Sequence, residues 1–347
     1  MRTPAARAAT GTKKASPRGT LKRAPVLAYV TGAAGFIGSH LCDRLLRDGW
    51  DVVGIDNLAT GDLRNLSGAR DDARFRFVEA DVIEAWSTWL AGLAERLCPA
   101  NVVFHLASPA SPVQYERLAL ETLAVNSVGT MHAVSFAHAA RAVLLYASTS
   151  ESYGDPLEHP QRETYHGNVN PVGLRACYDE SKRFGEAYVT TAVRKLGLDA
   201  RVARIFNTYG PRMQLGDGRV IPNFCVAALR SAPFTVYGEG TQTRSFCYVD
   251  DLVDGLVRLA TRPGLAGRVV NLGNPDEYTI RALAETTARL AGTELRIEAR
   301  ALPPDDPARR RPDISLARAL LDWEPRIPLE RGLATTLDYF STASPAG

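Results

Sequence analysis

The sequence has few cysteines and no metal-binding pattern. Five of the 347 residues are cysteine, the number is odd, and no two have CxxC spacing. A disulfide scaffold is therefore excluded, and we expect reduced thiols in the cytoplasm. The six histidines are scattered without an HExxH pair, so no metal site is predicted.

Long apolar runs are also missing. No stretch approaches the roughly 18 apolar residues that a membrane-spanning helix needs, so no membrane partner is expected. Hydrophobic residues make up 45% and charged residues 23% of the chain. These proportions exclude a wholly disordered or collagen-like protein and indicate a globular one.

Acidic residues are absent from the first 24 positions, which carry seven lysines and arginines. This segment has no apolar core of a secretory signal, and we expect a disordered basic tail at 1–24. The formal charge of +3 is therefore the sum of +7 from the tail and −4 from the remaining chain. A nucleic-acid partner is not expected, because such proteins usually carry a basic face on the folded domain.

The body of the chain alternates strand-like and helix-like segments. Apolar runs rich in β-forming residues predict strands at 25–30, 51–55, 74–78, 101–106 and 142–147. Helical patterns lie between most of them, notably at 36–46, 115–140 and 175–196. This order predicts an α/β fold with a Rossmann-type doubly wound parallel sheet. We expect an NAD-binding domain over 25–205 and a smaller C-terminal substrate-binding lobe over 206–347, with segments that return to the first domain.

A glycine-rich turn follows the first predicted strand and opens a helix. Gly32 permits a tight turn, Gly35 lets a pyrophosphate approach the backbone, and Gly38 allows close packing of helix against strand. The spacing is GxxGxxG rather than GxGxxG. Because the helix N-terminus then faces the anion, the turn predicts a dinucleotide site.

Asp56 stands at the end of the second predicted strand, 18 residues after Gly38. A carboxylate at this point accepts hydrogen bonds from the adenosine ribose and repels a 2′-phosphate, so NAD is favoured over NADP. Asp56 could instead cap a turn, and Asp81 is almost as easily a simple turn residue. The predicted cofactor residues are Gly32, Gly35, Phe36, Ile37, Gly38, Asp56, Asn57, Asp81, Val82, Leu106, Ala107, Tyr178 and Lys182.

Tyr178 and Lys182 are four residues apart in a predicted helix and share one face. A tyrosine is a poor base at neutral pH, and a nearby ammonium lowers its pKa. Such a pair can take a proton from an alcohol while a nicotinamide takes the hydride. Ser150 and Glu151 follow the fifth predicted strand, at the sheet edge where parallel sheets bind ligands.

These features resemble the extended short-chain dehydrogenase/reductases that act on nucleotide sugars, over about residues 26–341. Within that family the chain looks most like the UDP-glucuronate decarboxylases. The stretches that carry the resemblance are His105–Pro112, Ser148–Glu151, Cys177–Arg183, Arg204–Arg212, Thr241–Phe246, Asp305–Pro307 and Arg309–Asp313.

The resemblance implies an NAD-dependent enzyme that oxidises C4 of UDP-glucuronate, releases carbon dioxide and reduces C4 again to give UDP-xylose. The implied catalytic residues are Tyr178, Lys182, Thr149, Ser150, Glu151 and Arg310. Tyr178 would be the base and Arg310 would bind the carboxylate. The implied substrate-binding residues are Asn207, Arg219, Val220, Tyr237, Gln242, Arg244 and Arg310.

Several alternatives stay open. The related 4,6-dehydratases have Asp-Glu where this chain has Ser150-Glu151, and the 4-epimerases generally lack the glutamate. A branch of decarboxylases keeps Ser-Glu but releases the 4-keto pentose and NADH. A regulator that binds NAD without catalysis would typically lose Tyr178 or Lys182. The resemblance also implies a homodimer formed through the two long helices.

Overall fold

The structure is a computed structural model that describes residues 26–93, 100–301 and 309–343. The predicted basic tail at 1–24, Cys98 and the stretch 305–307 lie outside the described residues.

Short and medium strands alternate with helices along the described chain. The strands are β1 (Leu27–Thr31), β2 (Asp51–Asp56), β3 (Phe75–Glu79), β4 (Val102–His105), β5 (Val143–Thr149), β6 (Ala200–Ile205), β7 (Thr208–Tyr209), β8 (Phe234–Tyr237), β9 (Thr243–Ser245), β10 (Cys247–Tyr248), β11 (Val269–Leu272), β12 (Glu277–Thr279), β13 (Ile297–Arg300) and β14 (Arg309–Arg310).

The helices flank and connect these strands. They are α1 (Phe36–Arg47), α2 (Ser67–Arg70), α3 (Trp86–Leu90), α4 (Pro112–Arg117), α5 (Ala119–Ala124), α6 (Thr130–Ala140), α7 (Ala176–Leu196), α8 (Val220–Leu229), α9 (Val249–Thr261), α10 (Ile280–Ala291), α11 (Ser315–Leu321) and α12 (Leu329–Ala343). Single 3₁₀ turns lie at Leu63–Leu66 and Ser150–Tyr153, and a π-helical turn at Val125–Gly129.

Seven parallel strands form the central sheet in the order β11-β6-β5-β4-β1-β2-β3. The predicted α/β class with a doubly wound parallel sheet is confirmed. The strand order reverses between β1 and β4, because β2 and β3 extend the sheet on one side and β4, β5 and β6 on the other. The carboxyl ends of β1 and β4 therefore border the crevice where such sheets bind ligands.

Both faces of the sheet are covered by apolar side chains. Along β1, Ala28 and Val30 join the cluster that includes α1 and α9, while Leu27 and Tyr29 join the cluster on the opposite face. This alternation follows from the two-residue period of a strand, and it explains why Leu27–Val30 can be apolar at successive positions.

The region predicted as one helix over 115–140 is divided into three pieces. Leu118 leaves helical geometry between α4 and α5, with φ −115° and ψ 46°. The π-helical turn Val125–Gly129 then joins α5 to α6. Val125 lines the cleft at the carboxyl ends of the central strands, so the π-helical turn lies beside that cleft.

Three small sheets lie outside the central one. They pair β7 with β10, β12 and β14 with β9, and β8 with β13. Between them, β11 returns to the edge of the central sheet and pairs with β6. The division into two domains at residue 205 stays a prediction.

Candidate active site

A continuous cleft lies at the carboxyl ends of the central strands. It is lined by Gly32, Gly35, Phe36, Ile37, Gly38, Ile55, Asp56, Asn57, Ala59, Thr60, Ala80, Asp81, Val82, Ile83, Leu106, Ala107, Ser108, Pro109, Ala110, Leu118, Glu121, Val125, Ala147, Ser148, Thr149, Ser150, Glu151, Tyr178, Lys182, Ile205, Phe206, Asn207, Thr208 and Arg219. All of the residues predicted to hold the cofactor are in this set. The segments that follow six strands of the sheet, β1 to β6, therefore meet in one site.

The glycine-rich turn has the shape that a dinucleotide needs. Gly32 has φ +73°, and a Cβ there would lie 2.9 Å from the backbone nitrogen of Ala107. A Cβ on Gly38 would lie 2.0 Å from the carbonyl oxygen of Gly32. At Gly35 the only near neighbour of a Cβ would be that same oxygen, at 3.1 Å. Gly32 and Gly38 thus permit close backbone packing. Gly35 has no side chain, so a ligand can approach the backbone of the turn.

Helix α1 begins directly after this turn with no side chain capping its first amides. Its first turn also holds no acidic residue. Uncapped amides and the helix dipole favour a negatively charged group at this point, so the turn fits the pyrophosphate of NAD.

Asp56 lines the cleft at the end of β2, where the sequence predicts the adenosine. Its Oδ2 accepts a hydrogen bond from the backbone nitrogen of Ala34 at 2.9 Å, and its Oδ1 accepts one from Leu58 at 2.8 Å. Burial raises the pKa of Asp56, against these two bonds. Each carboxylate oxygen keeps a second acceptor position, so the residue can cap the turn and still accept a ribose hydroxyl.

The neighbouring adenine-side residues form a small network. Asn57 donates from its amide to Oδ2 of Asp81 at 2.8 Å, and Oδ1 of Asp81 accepts from the backbone of Ile83 at 3.0 Å. Asp81 supports its own turn and also lines the cleft, so its role beside the adenine stays a prediction. In the segment after β4, the backbone amides of Leu106 and Ala107 both donate to the Thr31 hydroxyl at 3.1 Å.

Tyr178 lies in the first turn of α7 and is buried with its ring stacked on Tyr115. The centroids of the two rings are 5.0 Å apart and their planes differ by 10°. A hydrogen bond joins the phenol to Thr149, and this bond acts to lower the pKa of Tyr178. Burial and the charge of Glu151 outweigh it, so the pKa of Tyr178 is raised.

Lys182 occupies the next turn of α7 and is almost fully buried. Its Nζ donates to the carbonyl oxygen of Ala147 at 2.9 Å and lies 5.8 Å from the centroid of the Tyr178 ring. Burial lowers the pKa of Lys182 to about 7, and only the charge of Glu186 opposes the shift. Desolvation dominates the pKa of both groups, and the expectation that Lys182 lowers the pKa of Tyr178 stays a prediction.

Glu151 is partly buried and lies between two arginines. Its Oε1 accepts from Nη1 of Arg310 at 3.2 Å, and its Oε2 accepts from Nη2 of Arg175. These two charges hold the pKa of Glu151 well below its usual range despite burial. Glu151 is therefore an ionised carboxylate beside Tyr178 at neutral pH.

The predicted substrate residues are divided between two regions. Asn207 and Arg219 line the cleft, and Arg219 is paired with Asp217, Nε to Oδ1 at 2.5 Å. The other five are not among the lining residues of the cleft, and they are Val220, Tyr237, Gln242, Arg244 and Arg310. Arg310 nevertheless reaches the cleft through its contact with Glu151.

The small sheet of β9, β12 and β14 connects these outer residues to the cleft. Arg244 and Arg310 are register partners in the parallel pair of β9 and β14. Arg244 is buried and donates to the carbonyl oxygen of Thr243 at 2.9 Å. The amide of Gln242 donates to the carbonyl oxygen of Tyr237 at 2.8 Å, and Tyr237 itself is exposed.

Arg175, Asp179 and Tyr115 belong to the site, and the sequence reasoning missed all three. Arg175 lies at the N-terminal end of α7, where the helix dipole disfavours a positive charge, and this unusual position was a usable signal. Asp179 follows Tyr178 directly and is buried on the same helix. Nothing in the local pattern distinguishes Tyr115, because its stack on Tyr178 joins positions 63 residues apart.

The fold and the site together define an enzyme of the dehydrogenase/reductase type, with a cleft for a dinucleotide and a Tyr–Lys pair in it. The chain belongs to the NAD dependent epimerase/dehydratase family, whose model matches residues 28–273. The predicted cofactor, NAD, is confirmed by this membership.

Two UDP-glucuronic acid decarboxylases resemble the chain over most of its length. UDP-glucuronic acid decarboxylase 1 from Danio rerio is 46% identical over 312 residues, which cover 90% of this chain and 72% of that protein. UDP-glucuronic acid decarboxylase 1 from Arabidopsis thaliana is 47% identical over 311 residues, covering 90% and 69%.

Solved structures of 4-epimerases have the same fold. UDP-glucuronic acid 4-epimerase from Bacillus cereus, in complex with UDP-glucuronic acid and NAD, is 28% identical with a TM-score of 0.81, covering 92% of this chain and 100% of that one. UDP-glucose 4-epimerase from Thermotoga maritima, with UDP-glucose, is 27% identical with a TM-score of 0.83, covering 92% and 99%.

Proposed function

We propose that this enzyme converts UDP-glucuronate to UDP-xylose with loss of carbon dioxide. The observation that carries the proposal is the ionised Glu151, held by Arg175 and Arg310 next to Tyr178. A carboxylate flanked by two guanidiniums leaves one surplus positive charge at the sugar end of the cleft. That surplus suits a substrate whose sugar carries its own carboxylate.

Residues of this chain can be assigned to the transfer of the 4-hydroxyl proton and to the binding of the cofactor. When bound, NAD supplies the hydride acceptor at C4 and returns the hydride at the end of the cycle. Tyr178 takes the proton of the 4-hydroxyl and later gives it back, and Thr149 holds the same hydroxyl through its bond to the phenol. Lys182, whose Nζ donates to Ala147 and lies 5.8 Å from the centroid of the Tyr178 ring, would hold the nicotinamide ribose.

Loss of carbon dioxide follows from the oxidation of C4, because a carboxylate β to a ketone passes its electrons into the carbonyl. Arg310 carries fixed positive charge to the point where the enolate forms. Its Nη1 donates to Glu151 at 3.2 Å, which places the guanidinium beside the cleft. One proton is consumed at C5 for each molecule of carbon dioxide released.

Ser150 separates this reaction from the elimination of water. It is buried beside Glu151, where a 4,6-dehydratase would need a second acid for the leaving hydroxyl. A serine hydroxyl is far too weak an acid for that task. The small side chain is consistent with a site that only loses the C5 carboxylate.

The UDP end of the substrate would be held by the outer residues. Asn207 and Arg219 contact the cleft directly, and Val220 follows at the start of α8. Arg244, Gln242 and Tyr237 continue the path along β9 and β8. Helix N-termini and a few placed arginines would then bind a strongly anionic substrate although the predicted body charge is negative.

A single assay tests the reaction. Purified enzyme is incubated with UDP-glucuronate while carbon dioxide, NADH absorbance and the product mass are followed together. We expect release of carbon dioxide, formation of UDP-xylose and no net NADH. Absence of carbon dioxide would refute decarboxylation, and stoichiometric NADH would favour release of the 4-keto pentose instead.

We further propose that the enzyme is a homodimer of the cytoplasm. Exposed apolar side chains lie along α5, α6 and α7, among them Leu120, Met131 and Phe184. Cys42, Cys177, Cys225 and Cys247 are free thiols, which suits a reducing compartment. In the described part of the chain, no helix has the length and apolar character to cross a membrane. Light scattering tests the dimer, and cell fractionation tests the location.

A further inference from the structure

Asp179 is a buried acid that the proposed reaction does not use. It lies in the first turn of α7, next to Tyr178, and only 8% of its surface is exposed. Its Oδ1 is buried and has no hydrogen-bond partner among the described residues. An ionised carboxylate in this place would bury a charged oxygen that no donor satisfies, which costs more than burying the neutral acid.

Glu151 lies close enough to Asp179 for its charge to act on the Asp179 carboxyl group. Two neighbouring carboxyl groups in a buried place do not both ionise, so one of them keeps a proton. Glu151 has Arg175 and Arg310 at its two oxygens, so Glu151 is the group that stays ionised. The proton therefore resides on Asp179.

The charged surroundings of Asp179 are few. Burial and the charge of Glu151 raise the pKa of Asp179, while the charges of Arg175 and Arg310 lower it less. In turn, the charge of Asp179 acts on Tyr115, Cys177 and Tyr178. Arg219 faces Tyr178 and Glu151 from the start of α8, and its charge is offset by Asp217.

We propose that Asp179 is a positioning residue that stays protonated beside the ionised Glu151. The site thereby keeps a surplus positive charge at its sugar end. With Asp179 neutral, two guanidiniums face one carboxylate, and the substrate carboxylate meets a net positive cluster. With Asp179 ionised, two carboxylates cancel the two guanidiniums and the preference for an acidic sugar is lost. The inference rests on the proposed function, because it assigns how that site selects its substrate.

The first test compares binding selectivity across pH. Tyr178→Phe, expected to bind without turnover, serves as the background, with NAD bound, and calorimetry gives Kd for UDP-glucuronate and UDP-glucose. In the Tyr178→Phe variant, the preference for UDP-glucuronate is the Kd for UDP-glucose divided by the Kd for UDP-glucuronate. We expect this ratio to fall about tenfold as pH rises through the pKa of Asp179, about 8. With Asp179→Asn added, an uncharged mimic of the protonated acid, the preference should stay constant.

Glu180→Gln is the matched control, because Glu180 is the adjacent acid on α7 and pairs with Arg183 away from Glu151, at 3.6 Å. It should keep the pH dependence of the background. An unchanged pH dependence in the Asp179→Asn variant would overturn the proposal. Should that variant fold poorly, Asp179→Ala removes the same charge and must also remove the pH dependence.

A second readout needs no substrate. An acid whose pKa is raised by folding weakens the folded state as pH rises from its unfolded pKa to its folded one. Asp179→Asn should therefore have a higher Tm than the wild type above pH 8, and a smaller advantage near pH 5. A variant that is less stable at every pH would contradict a protonated Asp179. Release of carbon dioxide by the wild type at neutral pH tests the proposed function separately.

Discussion

At the residue scale, Tyr178 gives the most direct prediction. Its phenol is buried against Thr149, and no other described tyrosine hydroxyl is placed beside both Glu151 and Lys182. Removal of the hydroxyl in Tyr178→Phe should lower kcat by at least about 100-fold, the usual loss when a general base is removed. The affinity for UDP should not change, because the ring and its stack on Tyr115 remain.

Tyr188→Phe on the same helix is the control for this change. Its ring packs on Phe184, with centroids 5.9 Å apart, and it lies outside the cleft. Steady-state turnover of this variant should equal that of the wild type. Near-normal turnover of Tyr178→Phe would remove its role as the base.

Glu151 predicts a dependence of stability on pH. Because Arg310 and Arg175 hold its folded pKa below the unfolded value of about 4.3, the carboxylate stabilises the fold above that pH and loses this contribution as pH falls. Glu151→Gln should therefore be less stable than the wild type at neutral pH. The difference should shrink as the pH falls from about 4.3 to about 2, the folded pKa of Glu151.

Urea unfolding of both proteins at a series of pH values measures this difference. Glu298→Gln provides the control, because Glu298 makes an exposed pair with Arg300 at 3.1 Å and such pairs contribute little. A deficit of Glu151→Gln that stays constant with pH would show that packing, not charge, causes the loss.

At the element scale, the contact between α1 and the glycine-rich turn can be tested by one methyl group. In Gly38→Ala the new Cβ would lie 2.0 Å from the carbonyl oxygen of Gly32, so α1 must shift away from β1. We expect a loss of about 1–3 kcal/mol in unfolding free energy and a weakened affinity for NAD.

Gly68→Ala is the matched substitution, since a Cβ there has no neighbour within 4 Å and the residue lies in α2. It should stabilise the protein by roughly 0.5–1 kcal/mol or leave it unchanged. Denaturant titration and NAD fluorescence would measure both effects. Equal behaviour of the two variants would contradict the close packing at Gly38.

The elements with a strong local pattern could be predicted from the sequence. The turn after β1, the apolar strands and α7 all carry such a signal, and each lies where the pattern placed it. The small sheets could not be predicted, because strands such as β14 have only two residues and gain their identity from pairing with β9. The contact of Arg175 with Glu151 likewise joins residues 24 positions apart and depends on tertiary structure.

At the scale of the whole molecule, the predicted tail and body differ in charge. Seven cations at 1–24 give the chain its net charge of +3, and the rest sums to −4. Since the cleft is built from the described residues between Gly32 and Arg310, deletion of 1–24 should leave kcat and KM within about twofold, a change below 0.5 kcal/mol. A large rise in KM would instead assign the tail a role at the anionic substrate.

The proposed dimer predicts which apolar side chains tolerate a charge. Leu120 on α5 is 77% exposed and Met131 on α6 is 40% exposed, which is costly unless a partner covers them. Leu120→Glu with Met131→Glu should convert the dimer to monomers in light scattering, because two buried charges per subunit oppose association. Leu157→Glu is the control, since Leu157 is 81% exposed in the loop after β5 and lies away from these helices in sequence. If the double variant stays dimeric, or if the wild type is already a monomer, these helices do not form the interface.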